Sequence, residues 1–322
     1  YRSPFFLIFY QGLYFMRSDR SELEHRITVI KLTDLMKLHD VSDQEINDLV
    51  IMSHTEKQDN KRAVGKRITA YDLWRSDHEN RKQNESERDL KTEWEYFNRT
   101  HNEGALKKFK FLLSFVQIPL TKDLIFTGFY KILDRRPVKK GAMHPVQQIP
   151  MVGKEENILG YDNRLKEFEG KLILGGWNIT PNIKRVLRNK KNKDNLHVKA
   201  ILQDIPEQKF SYQSFIWSTD RISILPSSWR SHLSQLFGIY LLVGKDGRQY
   251  IGSASSEEKG FLSRWKQYEK TGHCGNAQLK KLKKEQQVYT VSILETVPST
   301  YPKHQIIELE NEWKEKLGTR AF

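Results

Sequence analysis

One cysteine, Cys274, stands among 322 residues, so the chain has neither a partner for an intrachain disulfide nor the thiolates for a cysteine-rich zinc site. A reducing, cytoplasmic setting is the expectation. Long apolar runs are scarce as well. The most apolar stretch, PFFLIFYQGLYFM at 4–16, is too short to span a bilayer, is broken by Gln11 and Gly12, and lacks a small-residue cleavage signature. It reads as buried core of a soluble protein with no membrane partner. Internal repeats and low-complexity tracts are absent.

What is present is charge of one sign. Lysine and arginine number 54 against 40 acids, a net +14, which favours a polyanionic partner such as nucleic acid. A hydrophobic fraction of 38% still supports packed cores, and the length suits two or three domains.

Residues 1–90 read as a helical N-terminal segment ending in a polar linker. Thr33 precedes DLMKL as an N-cap, and Ser42 with Glu45 forms a capping-box pattern ahead of Ile46, Leu49 and Val50 at helical spacing. A plain helical hairpin is preferred there to a helix-turn-helix. From Ser53 to Asp89 large apolar residues occur only around ITAYDLW, and the stretch reads as a linker or surface arm.

Residues 91–230 resume core character. DLIFTGFYKIL, KEFEGKLILGGW, NLHVKAILQDI and FSYQSFIW are short apolar runs between turn signals, which predicts a β-rich domain suited to DNA recognition. Between them Lys184, Arg185, Arg188, Lys190, Lys191 and Lys193 crowd together. Such a run can track a phosphate backbone or serve as a solvated loop.

Residues 231–322 carry the chemistry. FGIYLLV and RQYIGSA flank Lys-Asp-Gly, a hairpin signal. A two-residue turn would send Tyr240 and Tyr250 to opposite faces. A three-residue loop, Lys245 to Gly247 with the glycine left-handed, pairs Leu242 with Tyr250 and sets Tyr240 diagonally beside it on one face; this is the expected geometry. Strand tyrosines also serve as plain cross-strand packing.

GFLSRWKQYEK follows as a helix with Arg264 and Tyr268 one turn apart. An arginine beside tyrosines can offer a planar donor fork to a phosphate, or simply be solvated. In HQIIELENEWKEKL, Ile306, Glu310, Trp313 and Leu317 recur at helical spacing, which puts Glu310 inside the apolar stripe. A carboxylate aimed at a core needs a counterion, a metal or a raised pKa.

GIY at 238–240 and YIG at 250–252, followed in order by GFLSRW, TGHCGN, VSILE and IIELENEWKEKLG, resemble the GIY-YIG endonuclease family over about the last quarter of the chain. The resemblance implies an α+β fold whose last domain is a small antiparallel sheet flanked by helices. It further implies Mg²⁺- or Mn²⁺-dependent hydrolysis of phosphodiesters in double-stranded DNA. In that reading Glu310 is the metal ligand, Arg264 neutralises phosphate charge, and Tyr240 takes the water's proton, its phenol lowered by cationic surroundings. Tyr250 orients phosphate or water.

Tyr268 stands where some relatives have a histidine, and His273 is either a proton carrier or a loop residue. Many relatives carry an asparagine after the last helix, and none appears before Phe322. A nuclease domain placed last is similar to restriction or genome-defence architecture, and cutting both strands with one site per chain favours a homodimer or sequential nicking. The alternatives are a non-catalytic DNA-binding or regulatory protein with a nuclease-like domain, and an RNA binder.

Overall fold

The computed structural model describes residues 29–55, 68–84, 88–119, 121–143, 150–176, 184–187, 189–206, 209–255, 257 and 259–318. Two compact units emerge: residues 1–56 with 88–206, and residues 57–87 with 207–322.

The first unit opens with α1 (Leu32–Leu38), α2 (Asp43–Asn47) and β1 (Leu49–His54). The chain then leaves it for α3 (Ala70–Asn84) of the second unit. It returns with α4 (Glu93–Arg99), β2 (Thr100–Asn102), β3 (Phe111–Gln117), β4 (Leu124–Pro137), β5 (Lys154–Tyr161), β6 (Leu172–Gly175), β7 (Lys184–Val186), α5 (Lys190–Asn195) and β8 (His197–Ile201). The sheet runs β2-β5-β4-β3-β1-β7, with β6 on β4 and β8 on β6; β1 and β3 are parallel, and the other pairs antiparallel. Its two faces are covered separately. Leu49 and Ile51 join α1 and Met36 in one core, while Val50 and Met52 join Leu106, Leu112 and Tyr130 in another.

The expected Ser42–Glu45 capping box forms at α2. Leu49 and Val50, expected on that helix, instead begin β1, whose six residues are all buried. A strand covered on both faces shows no period-2 alternation, so a short apolar run mimics helical spacing. Thr33 is buried inside α1, whose N-cap is Lys31.

The second unit comprises α3, β9 (Ile216–Ser218), α6 (Ser227–Ser234), β10 (Phe237–Gly244), β11 (Gln249–Ala254), α7 (Gly260–Thr271), α8 (Ala277–Lys280), β12 (Tyr289–Val297) and α9 (Lys303–Lys316). Its antiparallel sheet runs β11-β10-β12-β9. The division differs from three consecutive segments at two places. Part of the expected polar linker is a helix whose Tyr71, Leu73 and Trp74 are buried. IleTrpSer at 216–218 pairs with β12 rather than with the first sheet, and Trp217 is fully buried there. Helices and sheets together are compatible with the α+β class. No described helix is long and apolar enough to cross a membrane.

Candidate active site

The β10–β11 hairpin has the three-residue loop. Gly244 N–H donates to Arg248 O at 2.9 Å, Gly247 adopts φ 81°, and the register pairs Leu242 with Tyr250 and Tyr240 with Gly252. Both tyrosines therefore lie on one face, diagonal to each other. Asp246 reinforces the loop by accepting from Arg248 N–H at 3.1 Å and Nε at 2.8 Å, which holds its carboxyl below the usual range.

Two glycines of the paired tripeptides have distinct jobs. A Cβ on Gly252 would lie 2.5 Å from Tyr240 Oη, so the phenol lies over bare backbone. Gly238, at φ 135°, leaves no room for a Cβ, which would meet Glu295 O at 2.1 Å, and the β10–β12 register shifts just after it. Only glycine tolerates that combination of angle and approach.

α7 packs onto the same face. Phe261, Trp265 and Tyr268 are buried and meet the Tyr240 ring edge-on at centroid distances of 6.2, 6.1 and 6.2 Å. Burying a ring such as Phe261 contributes about 1.5–3 kcal/mol, enough to fix the helix and therefore Arg264, which projects from it. Arg264 Nε donates to Tyr240 Oη at 3.4 Å, and Tyr240 Oη donates to Tyr268 Oη at 3.3 Å.

Burial pushes the Tyr240 phenol well above its ordinary value, and Arg264 opposes this without overcoming it. The expected lowering by cationic surroundings is thus reversed: one guanidinium does not offset complete desolvation. Tyr268 is driven up likewise by burial and by the neighbouring phenols. Tyr240 is fully buried, whereas Tyr250 and Arg264 are half-exposed.

His273 lies in the loop after α7, half-buried, its Nδ1 accepting from Gly275 N–H at 3.0 Å. Asn276 Oδ1 accepts from Leu279 N–H at 3.0 Å and so shapes the start of α8.

Glu310 lies elsewhere. Ile306, Leu309 and Trp313 of α9 pack against Ile239, Leu241 and Ile251, which alternate with Tyr240, Leu242 and Tyr250 and occupy the opposite sheet face. Leu309 takes the place expected for Leu317, which is 40% exposed. Glu310 Oε1 is 2.6 Å from Lys314 Nζ, so the counterion is a lysine one turn on. The carboxylate does not fit a divalent ion shared with the tyrosines, because its helix packs against the opposite sheet face. Among the described residues no group of three or more His, Cys, Asp or Glu side chains is placed to hold a metal.

The basic run lies in the first unit. Lys184 and Arg185 belong to β7, which pairs with β1, so a strand replaces the expected loop. Their side chains, and Arg188 altogether, lie outside the described residues. Lys190 and Lys191 open α5 and are exposed, with Asn189 Oδ1 capping Lys191 N–H at 3.0 Å.

No protein-family model, curated protein or solved structure matches the chain.

Proposed function

We propose that the second unit is a GIY-YIG-type endonuclease domain that hydrolyses DNA phosphodiesters, with recognition of duplex DNA assigned to the first unit in a restriction or genome-defence role. One observation carries this reading: the hairpin register that aligns Tyr240 and Tyr250 on a single face, with Arg264 bonded to Tyr240. The half-exposed Arg264 offers its donor fork to a non-bridging phosphate oxygen, where charge builds during in-line attack. Tyr250 orients the phosphate or the attacking water from the same face. Tyr240, buried and held protonated, positions Arg264 and does not accept the water's proton. Mg²⁺ or Mn²⁺ would supply Lewis-acid stabilisation; Glu310, paired with Lys314 on the helix that packs against the opposite sheet face, does not fit that ion beside the tyrosines.

A second reading, a non-catalytic DNA-binding domain, is favoured by the Glu310–Lys314 pair and by the face on which α9 packs. Supercoiled plasmids, with and without base modification, incubated with the full chain and Mg²⁺ or Mn²⁺ separate the two. The nuclease reading expects nicking that Arg264→Ala lowers about 10²–10³-fold while DNA binding persists. Binding without cleavage under every condition selects the second reading.

A further inference from the structure

α7 has a second face. Phe261, Trp265 and Tyr268 point into the core, and on the far side of the helix Lys259, Ser263, Lys266 and Lys270 form a stripe at four-, three- and four-residue steps. These residues, with Ser234 and Gln267, line an open groove of about 400 Å³. We propose that this groove is a phosphate-backbone site for duplex DNA, an assignment that rests on the nuclease reading for the identity of the polyanion.

Three features suit this open face to a polyanion. Its side chains border one shared open volume together with Ser234. All three lysines are exposed, and none has a carboxylate within ion-pair distance among the described residues, a condition shared with exposed lysines such as Lys107, Lys139 and Lys280 but not with Lys31, Lys37, Lys199, Lys303 and Lys316, which each hold an acid. Paired surface lysines have their charge balanced locally; these three leave positive potential that a polyanion can neutralise with release of its counterions. The spacing also suits the ligand. Lys266 and Lys270 lie about 6 Å apart along the helix axis, and each strand of a duplex presents a phosphate every 3.4 Å or so of its axis, so flexible lysine stems reach separate phosphates. Ser263 and Gln267 between them add neutral donors of the kind that accompany phosphate contacts.

The test measures binding of a mixed-sequence duplex by the full chain across a salt series without divalent metal, so that cleavage plays no part. Each lost phosphate contact lowers the slope of log K against log salt by about 0.9. The variant Lys259→Gln/Lys266→Gln/Lys270→Gln is expected to lower it by about 2–3 with an unchanged melting temperature. The control Lys245→Gln/Lys303→Gln/Lys316→Gln, exposed lysines of the same unit away from the stripe and of equal charge loss, is expected to alter it far less. Should the triple variant melt early, Lys266→Gln and Lys270→Gln singly read the same slope at about 0.9 each. Duplex binding by the wild type with equal slopes in variant and control overturns the groove and leaves the nuclease reading standing. Failure of the wild type to bind duplex DNA at all sinks both, and tighter binding of single-stranded DNA or RNA overturns the duplex assignment.

Discussion

Each unit sets an arginine among tyrosines, and the two clusters differ in how far the cation is sealed from solvent. In the first, Arg88 Nε donates to Glu95 at 2.5 Å and Nη1 to Glu169 at 2.7 Å, with side-chain exposures of 4%, 0% and 3% for the three residues. Its guanidinium also donates to Tyr130 Oη and lies 4.6 Å from the Tyr161 ring centroid. In the second, Arg264 is half-exposed and rests on Tyr240. A sealed cation gripped by two acids cannot reach a ligand and serves as a clamp. A half-exposed guanidinium beside a phenol is open to a ligand that approaches from solvent. The same residue types thus yield architecture in one unit and a candidate site in the other.

The largest expected effect breaks that contrast or upholds it. Arg88→Ala strands Glu95 and Glu169 as buried, uncompensated charges and is expected to cost the first unit about 3–5 kcal/mol. Arg264→Ala, a half-exposed truncation, is expected to cost the second unit about 1 kcal/mol while lowering cleavage about 10²–10³-fold. Chemical denaturation of the two variants measures both numbers. Equal losses would mean that both arginines are clamps.

The acid limb of the pH profile singles out the first unit next. His54 belongs to the Arg88 network through Asn98, its Nε2 lying 2.9 Å from Asn98 Oδ1, and Asn98 Nδ2 in turn donates to Glu95 at 3.0 Å. Burial lowers the His54 imidazole to about 4, partly opposed by Asn98. Between pH 6.5 and 4 the unfolded chain binds a proton that the folded one refuses, so stability falls as pH drops through this window, by up to about 3 kcal/mol. Buried phenols have the opposite sign in both units, Tyr130 of the first as well as Tyr240 of the second. Tyr240 keeps its proton when folded, so its contribution is lost only as pH rises past about 10, where the unfolded phenol ionises. Calorimetry across pH checks this, and His54→Gln is expected to flatten the acid limb alone.

A smaller change sharpens the geometry of the second cluster. Gly252→Ala places a methyl 2.5 Å from Tyr240 Oη and is expected to cost about 1–3 kcal/mol by overpacking. The tyrosine must swing off β11 and carry Arg264 with it. Loss of nicking greater than the loss of stability, read on folded protein, would tie the phenol to positioning; proportionate losses would leave it as packing.

The sequence made the hairpin legible because loop length and strand register are coupled: once Gly247 is left-handed, Leu242 must face Tyr250. The Ser42–Glu45 cap was legible for the same local reason. β1 was not, because residues buried on both sheet faces lose the alternation that marks a strand. α3 hid behind composition. Tyr71, Leu73 and Trp74 are its buried apolar residues, while Asp72, Arg75, Ser76 and His78 are buried polar ones that composition reads as surface, and pairs such as Arg75–Glu79 and Asp77–Arg81 at i,i+4 support the helix. At the site, the adjacency of Arg264 and Tyr268 follows from helical spacing, yet burial, which reverses the shift expected for Tyr240, does not. Periodicity placed Glu310 on the packed side of α9, but it cannot say on which side of the sheet that helix lies. The short-range rule governs one element, whereas the face is set by long-range packing of Ile306 and Trp313 on Ile239 and Ile251.

That face makes Lys314 the sharpest small perturbation. The Glu310–Lys314 pair is an i,i+4 contact with the lysine 39% exposed, so Lys314→Ala is expected to change stability by less than about 0.5 kcal/mol. Its effect on metal is the informative part. If Glu310 serves a divalent ion, removing the competing ammonium tightens Mg²⁺ or Mn²⁺ binding, seen by calorimetric titration, and lowers the metal concentration at half-maximal nicking; Glu310→Gln added to the same variant cancels both gains. If the pair is only a helix-surface contact, neither quantity moves, and the metal must be sought on the tyrosine face. Glu310 would then join Arg88 on the structural side of the comparison, leaving Arg264 and Tyr250 to carry the second unit's chemistry.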